Sequence, residues 1–349
     1  MKNRKLSKAS RRAFMTYAAV IAAFVILQSL AAAGAMSSML KGLLVPICAY
    51  VVMAVSLNLT VGVLGELSLG HAGFMSVGAF MGVTTAVALQ NAVASKELRL
   101  VCALIVGAIF AGIVGFLVGI PVLRLNGDYL AIVTLAFGEI IKSIFNNLYL
   151  GIDSHGLHIS LLDNKLRMDE GVKPIIGGPM GIGGIQKIAN FATGFVLIMI
   201  CLIVIFNLVN SRAGRAIMAI RDNRIAAESV GIPITKYKMM AFVTSAAMAG
   251  AAGALFALNF STIVANKFDF NTSILVLVFV VLGGLGNMMG SIVAAAALTV
   301  LPEALRQFAD YRMLVYAIVL IAVMLIRNNP TIRAFTGRLR PGKKGGAKE

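Results

Sequence analysis

Runs of apolar residues alternate with short polar stretches along the whole chain. Ten such runs stand out, near 13–33, 43–62, 73–90, 100–122, 129–150, 192–210, 239–258, 272–289, 290–303 and 313–326. Most reach the length of about 20 residues that a helix needs to cross a bilayer. The ninth, about 14 residues, has the length of a half-span or re-entrant piece. Backbone at membrane depth must satisfy its own hydrogen bonds, so the runs predict helices rather than open strands. The expected fold class is therefore all-α integral membrane protein with about ten transmembrane segments, some short or broken. A basic tail, 1–12, precedes the membrane domain 13–326, and a second basic tail, 327–349, follows it.

Composition supports this reading. Hydrophobic residues make up 59% of the chain and charged residues 13%, against about 25% charged in soluble domains. The net charge of +17 raises the question of nucleic acid. The basic residues, however, sit in short stretches beside apolar runs, and no module of interleaved aromatic and basic residues is present, so no nucleic-acid partner is predicted. With the N-terminus inside, the inner segments 1–12, 63–72, 123–128, 211–238 and 327–349 carry 20 of the 31 Lys and Arg residues, and the outer segments carry 10. That bias predicts an N-in/C-in topology, with 151–191 extracytoplasmic and 211–238 cytoplasmic. The first run is about 21 residues, longer than the apolar core of a cleaved signal peptide, and reads as an uncleaved span. Tyr17, Tyr129, Tyr149, Tyr237 and Tyr311 fall near expected span ends, where amphipathic rings anchor. Cys48, Cys102 and Cys201 lie inside apolar runs and read as small buried hydrophobes.

Glycine is abundant, and Gly78 with Gly82, and Gly115 with Gly119, form small-xxx-small pairs suited to close helix approach. One stretch departs from plain packing. Between Val61 and Phe74 four glycines surround Glu66, Ser68 and His71. Such a stretch is either a broken helix facing protein or a water-filled cavity, offering groups to a substrate, or a cytoplasmic connecting loop. A second glycine-rich stretch, 281–290 with Asn287, echoes Val63-Leu64-Gly65-x-Leu67 in five residues drawn mostly from Val, Leu and Gly, a short match of common residues.

The chain lacks the G-x-x-x-x-G-K-[ST] phosphate cradle, and Gly284-x-Gly286-x-x-x-Gly290 is not a dinucleotide fingerprint. A chain of this kind that moved a solute uphill would draw its energy from a partner that binds ATP or from an ion gradient. His155 and His158 lie near Asp153 and Asp163, but Gly156 disfavours a helix presenting both imidazoles together; they read as solvated loop residues, and no metal site is predicted. Glu139 and Lys142 share one helix face in the fifth run. They form either a self-satisfying structural pair or part of a substrate path. The segment 211–238 predicts two short helical pieces with Asp222 as an N-cap of the second, Gly231 at C′ and Pro233 beyond it. Ile217 and Ile220 share one face, with Arg215, Arg221 and Arg224 elsewhere; a membrane-surface helix is the alternative.

Ala226-Ala227-x-x-x-Gly231 resembles the loop by which ABC-importer permeases dock their ATPases, although Ile225 stands where a Glu often opens that motif. Ser56-Leu-Asn-Leu59, Gly65-Glu-Leu-Ser-Leu-Gly-His-Ala-Gly-Phe74, the stretch Leu125–Phe137, Gly177-Gly-Pro-Met-Gly181, Ala219-Ile-Arg-Asp-Asn223 and Leu282-Gly-Gly-Leu-Gly286 occur in order, from about residue 45 to 326. Together they resemble the LivM branch of branched-chain amino-acid permeases. The resemblance implies a pore shared with a second, related permease, two cytoplasmic ATPases that bind the ATP, an extracytoplasmic binding protein, and a bacterial inner-membrane location. It implies alternating access, no bond chemistry and no cofactor on this chain, and leucine, isoleucine and valine as substrates, with urea or short amides second. Arg215, Arg221, Asp222, Ala226, Ala227 and Gly231 would form the coupling loop; Glu66, Ser68, His71, Glu139, Lys142 and Asn287 are candidates for the path. An ion-coupled carrier using Glu139 or Glu66, and a non-transport scaffold, are the readings from other classes.

Overall fold

In a computed structural model, residues 8–34, 36–90, 92–125, 127–153, 156–161, 174–305, 317, 318 and 321 are described. Helices dominate. They are α1 (Lys8–Ala32), α2 (Ser38–Asn58), α3 (His71–Ala88), α4 (Lys96–Val122), α5 (Asp128–Asn147), α6 (Phe191–Asn210), α7 (Arg212–Asp222), α8 (Arg224–Ser229), α9 (Ile234–Ala257), α10 (Phe270–Gly283) and α11 (Met288–Ala304). Among the described residues eight helical stretches are long and apolar enough to cross a membrane: α1, α2 with its continuation to Leu64, α3, α4, α5, α6, α9, and Ala265–Gly283, which ends in α10. The ninth expected run is α11, whose 17 residues exceed the expected length. The tenth, 313–326, falls almost wholly outside the described residues. Residues to Ala296 form one unit and those from Ala297 a second. The site described below lies in the first.

Inside the first unit, α2, α3 and α9 are buried along most of their length, and α4 packs across α3 and α9. The packing depends on missing side chains. A Cβ on Gly78 would collide with the Gly250 backbone, one on Gly253 with the Met75 carbonyl, and one on Gly107 would approach Gly78 O to 2.9 Å. Gly115 meets the Ala246 side chain and Gly119 the Met239 sulfur at 2.7 Å. The two expected glycine pairs thus lie at close helix contacts, Gly78 against backbone and Gly82, Gly115 and Gly119 against neighbouring side chains. Apolar attraction between helices is weak in lipid, so this close contact supplies the cohesion. The helix α1 leans on α6 through Phe24 stacked on Phe195 at 4.1 Å and Tyr17 edge-on to Phe206 at 5.4 Å.

Strands also occur, which corrects a purely helical expectation. The strands β1 (Tyr149–Asp153), β2 (Gly156–Ser160) and β3 (Ile176–Gly177) form an antiparallel sheet in the order β2-β1-β3. A second, two-stranded pair joins β4 (Ile182–Gly183) to β5 (Thr262–Ile263). All lie between spans, where backbone groups can pair without crossing the hydrocarbon. Arg99, buried at the start of α4, donates from Nη2 to Gln186 Oε1 at 3.3 Å and ties the segment before α6 to α4.

Candidate functional site

The glycine-rich stretch after α2 is both a helix break and a connection. The helix α2 runs on as a π-helix over Leu59–Leu64 and ends at Gly65, whose φ of 83° suits a residue without Cβ. Glu66 N–H turns back to the Thr60 carbonyl at 3.1 Å, closing the helix end. Residues 65–70 are non-helical, and neighbours satisfy the backbone there. Leu69 N–H donates to Thr134 Oγ1 of α5 at 3.1 Å, and Ala72 N–H to Ser273 Oγ of α10 at 3.1 Å. Thr60 Oγ1 and Ser68 Oγ are buried and without a partner, which marks them as polar groups able to take a ligand or water.

His71 is buried at the start of α3 with Nε2 2.8 Å from Ser56 Oγ. Ser56 Oγ also donates to the Met53 carbonyl at 2.9 Å; its single proton is spent there, so the imidazole donates from Nε2. Ser245 Oγ of α9 donates to the Ser56 carbonyl at 2.6 Å. Glu66 forms an ion pair with Lys238, whose side chain is only 3% exposed. A buried ammonium requires such a partner. Lys238 was absent from the candidates read in the sequence: Lys236 and Lys238 flank Tyr237 alike, and only packing shows which one turns inward.

Asn58, also missed as a site residue, joins the two glycine-rich stretches. Its Nδ2 donates to Ser291 Oγ at 2.9 Å, and its Oδ1 accepts from Gly286 N–H at 2.8 Å. A Cβ on Gly62 would collide with the Gly286 amide, so the two breaks touch backbone to backbone. The faint echo between the stretches is thus accompanied by contact, which a linear comparison cannot reveal. Asn287 lies in the turn 284–287 and is exposed; its N–H donates to the Gly284 carbonyl at 2.8 Å.

In the segment 211–238 the two helices fall where expected, as α7 and α8. Ser211 caps α7 by accepting from Gly214 N–H at 3.2 Å. The cap of α8 is Asn223, accepting from Ala226 N–H at 3.0 Å. That corrects the assignment to Asp222, whose carboxylate is turned to Arg221 at 2.8 Å instead. Asn223 has the extended backbone an N-cap needs, whereas Asp222 is the last helical residue of α7. Gly231 takes φ 81° and Ile232 N–H bonds the Ala227 carbonyl at 3.1 Å, a left-handed helix stop. Ile220, Ala227 and Ile234 cluster with Tyr237, and Ile217 is buried as well. The apolar face of α7 is thus filled by its own chain, which disfavours the membrane-surface alternative. Outward point Arg215, Ala226, Ile225 at 81% exposure and Val230 at 75%. Arg221 turns toward the membrane helices, donating from Nη1 to the Gly62 carbonyl at 3.2 Å.

Glu139 and Lys142 form an ion pair along α5, 39% and 22% exposed. Beside them Ser143 and Asn147 are exposed. The exposed face of α4 differs: Val101, Ile105, Ile109, Ile113, Phe116 and Ile120 are apolar without interruption.

Among the described residues, eight apolar spans with glycine-mediated cores and interrupted helices define a polytopic membrane protein. Residues 39–324 match the family described as branched-chain amino acid transport system / permease component. The chain belongs to that family. It is 35% identical over 312 residues to the high-affinity branched-chain amino acid transport system permease protein LivM of Salmonella typhimurium, covering 80% of this chain and 66% of the relative. To LivM of Escherichia coli it is 34% identical with the same coverage. A probable LivM of Methanocaldococcus jannaschii is 28% identical over 279 residues, 69% of this chain and 74% of that one. The matched part spans about two thirds of the length of the first two relatives. No solved structure matches the chain.

Proposed function

We propose that this chain is the permease subunit of an ABC importer that carries branched-chain amino acids across the bacterial inner membrane. It pairs with a second, related permease; two cytoplasmic ATPases bind and hydrolyse the ATP, and an extracytoplasmic binding protein delivers substrate. The chain itself holds no cofactor and makes no bonds. The observation that carries the reading is the family match over 39–324, which contains every site residue named above. The loop 211–231 supports it: an exposed apolar surface of Ile225, Ala226 and Val230 on a polar connection suits a protein partner.

Topology follows the same reading. The connections 59–70, 211–233 and 284–287 meet through Arg221, Gly62 and Asn58, whereas the strands gather where β4 meets β5. That grouping is what is expected if 59–70, 211–233 and 284–287 share the cytoplasmic side, as they do in the proposed arrangement of ten segments with both termini inside. The α5 face with Glu139, Lys142, Ser143 and Asn147 lines the pore, completed by the second permease, because ionisable and amide groups at membrane depth belong against water or protein. The apolar α4 face belongs against lipid.

Uptake in vesicles containing the purified complex of two permeases and two ATPases, with the binding protein supplied at its extracytoplasmic face, tests the proposal. Leucine, isoleucine, valine, urea and short amides are offered as labelled solutes, with and without ATP. ATP-dependent accumulation of the three amino acids is expected. Accumulation driven by an ion gradient without ATP would replace the reading with an ion-coupled carrier, and uptake confined to urea or amides would move the substrate assignment.

A further inference from the structure

Arg221 behaves unlike an outward docking residue. Its Nε and Nη2 are held by Asp222 Oδ1 at 3.0 and 2.8 Å, which leaves Nη1 to reach the Gly62 carbonyl at 3.2 Å. Its stem lies over Gly65, where an added Cβ would sit 2.6 Å from Arg221 Cγ. Gly62 belongs to the last turn of a helix, whose carbonyls lack helical donors. A guanidinium from the cytoplasmic loop therefore supplies a bond that the membrane helix cannot make for itself. The missing side chain of Gly65 leaves the room for that approach.

The contact continues inward. On another side Gly62 abuts the Gly286 amide with no room for a Cβ, and Asn58, one turn earlier, grips Gly286 N–H and Ser291 Oγ. Gly284 and Gly286 hold φ values of 101° and 76°, so the turn 284–287 depends on backbone shapes that other residues resist. Backbones packed this tightly have no slack, and displacement at one must reposition the next. A π-helical turn is a common place for such adjustment, because one residue more or less per turn changes the register of everything beyond it.

We infer that Arg221 is a positioning residue that transmits movement of the loop 211–238 to the π-helix 59–64, and through Asn58 to the turn 284–287, so that the two breaks move together. The inference rests on the importer reading, in which ATPases move that loop. Its substance is a physical route, Arg221 to Gly62 to Gly286.

The test uses the complex of two permeases and two ATPases in vesicles, supplied with the binding protein, with a spin label on a cysteine at the exposed position Leu285 and the native cysteines replaced. Arg221→Met keeps the stem and removes the guanidinium; Arg221→Lys restores one donor to the Gly62 carbonyl without the fork that Asp222 holds. With Arg221→Met, the ATPases should co-purify and hydrolyse ATP while uptake per ATP falls about tenfold, within the usual range of couplings between sites. The label at position 285 should lose its response to ATP, and Arg221→Lys should recover part of both. Loss of the ATPases from either variant would place Arg221 in the docking surface and overturn the relay while leaving the importer reading intact. Normal uptake with a normal label response in Arg221→Met would also overturn it. Uptake by the unaltered complex without ATP would instead remove the importer reading itself.

Discussion

Removing the carboxylate of Glu66 should damage the protein more than removing its cationic partner. Lys238 is 3% exposed and Glu66 is 14% exposed, so the two ends of the ion pair differ in their access to water. Glu66→Gln strands an ammonium with almost no solvent, and breaking a buried pair on one side costs about 3–5 kcal/mol. Lys238→Met leaves a carboxylate that keeps some hydration and replaces a buried charge by a side chain of similar length, so the loss should fall below that range. The double variant removes both charges and should recover most of the loss, because replacing a whole buried pair by uncharged groups is often close to neutral. The assay is thermal unfolding of the detergent-purified chain for the two single variants and the double variant, read as a double-mutant cycle. The expected order is Glu66→Gln least stable, then Lys238→Met, then the double variant nearest the unaltered protein. Additive losses in the double variant, or a larger loss for Lys238→Met than for Glu66→Gln, would refute the argument from burial.

Gly231→Val should cost at least about 1–2 kcal/mol locally, because φ 81° is left-handed and β-branched residues resist it, although no atom lies near the missing Cβ. Membrane insertion should persist while ATP-driven uptake and ATPase co-purification fall, as read by fractionation, transport and pull-down. A cysteine at the exposed Lys187 should label from outside and one at Arg224 from the cytoplasmic side, measured with a membrane-impermeant thiol reagent after the native cysteines are replaced; labelling of both from one side would reject the ten-segment topology. Glu139→Gln should express and fold normally but slow uptake, since an exposed i,i+3 pair contributes only a few tenths of a kcal/mol to the helix. Unaltered uptake kinetics would assign the pair to structure alone.

Spans, connections and helix ends were legible in the chain because each is written locally. Apolar runs of membrane length produced the helices near their expected places, and the glycine pairs at 78 and 82 and at 115 and 119 fell at close contacts between helices. Gly231 took the left-handed stop its position implied, since φ preference is a property of one residue. Errors began one residue away from such signals. Asp222 and Asn223 are both good caps, and only the path of the chain at the end of α7 decided for Asn223. The pairing of β4 with β5 was not foreseen, because two-residue strands that join segments some 80 positions apart leave no periodic trace. Lys238 and Asn58 show the same limit more sharply. A lysine near a span end and an asparagine in an apolar run look ordinary until folding brings Glu66 to one and Gly286 to the other. Hydropathy and dihedral preference act within a few residues, so the sequence alone determined the elements; partners for buried polar groups lie across the fold, so only tertiary structure decided which polar residues form the site.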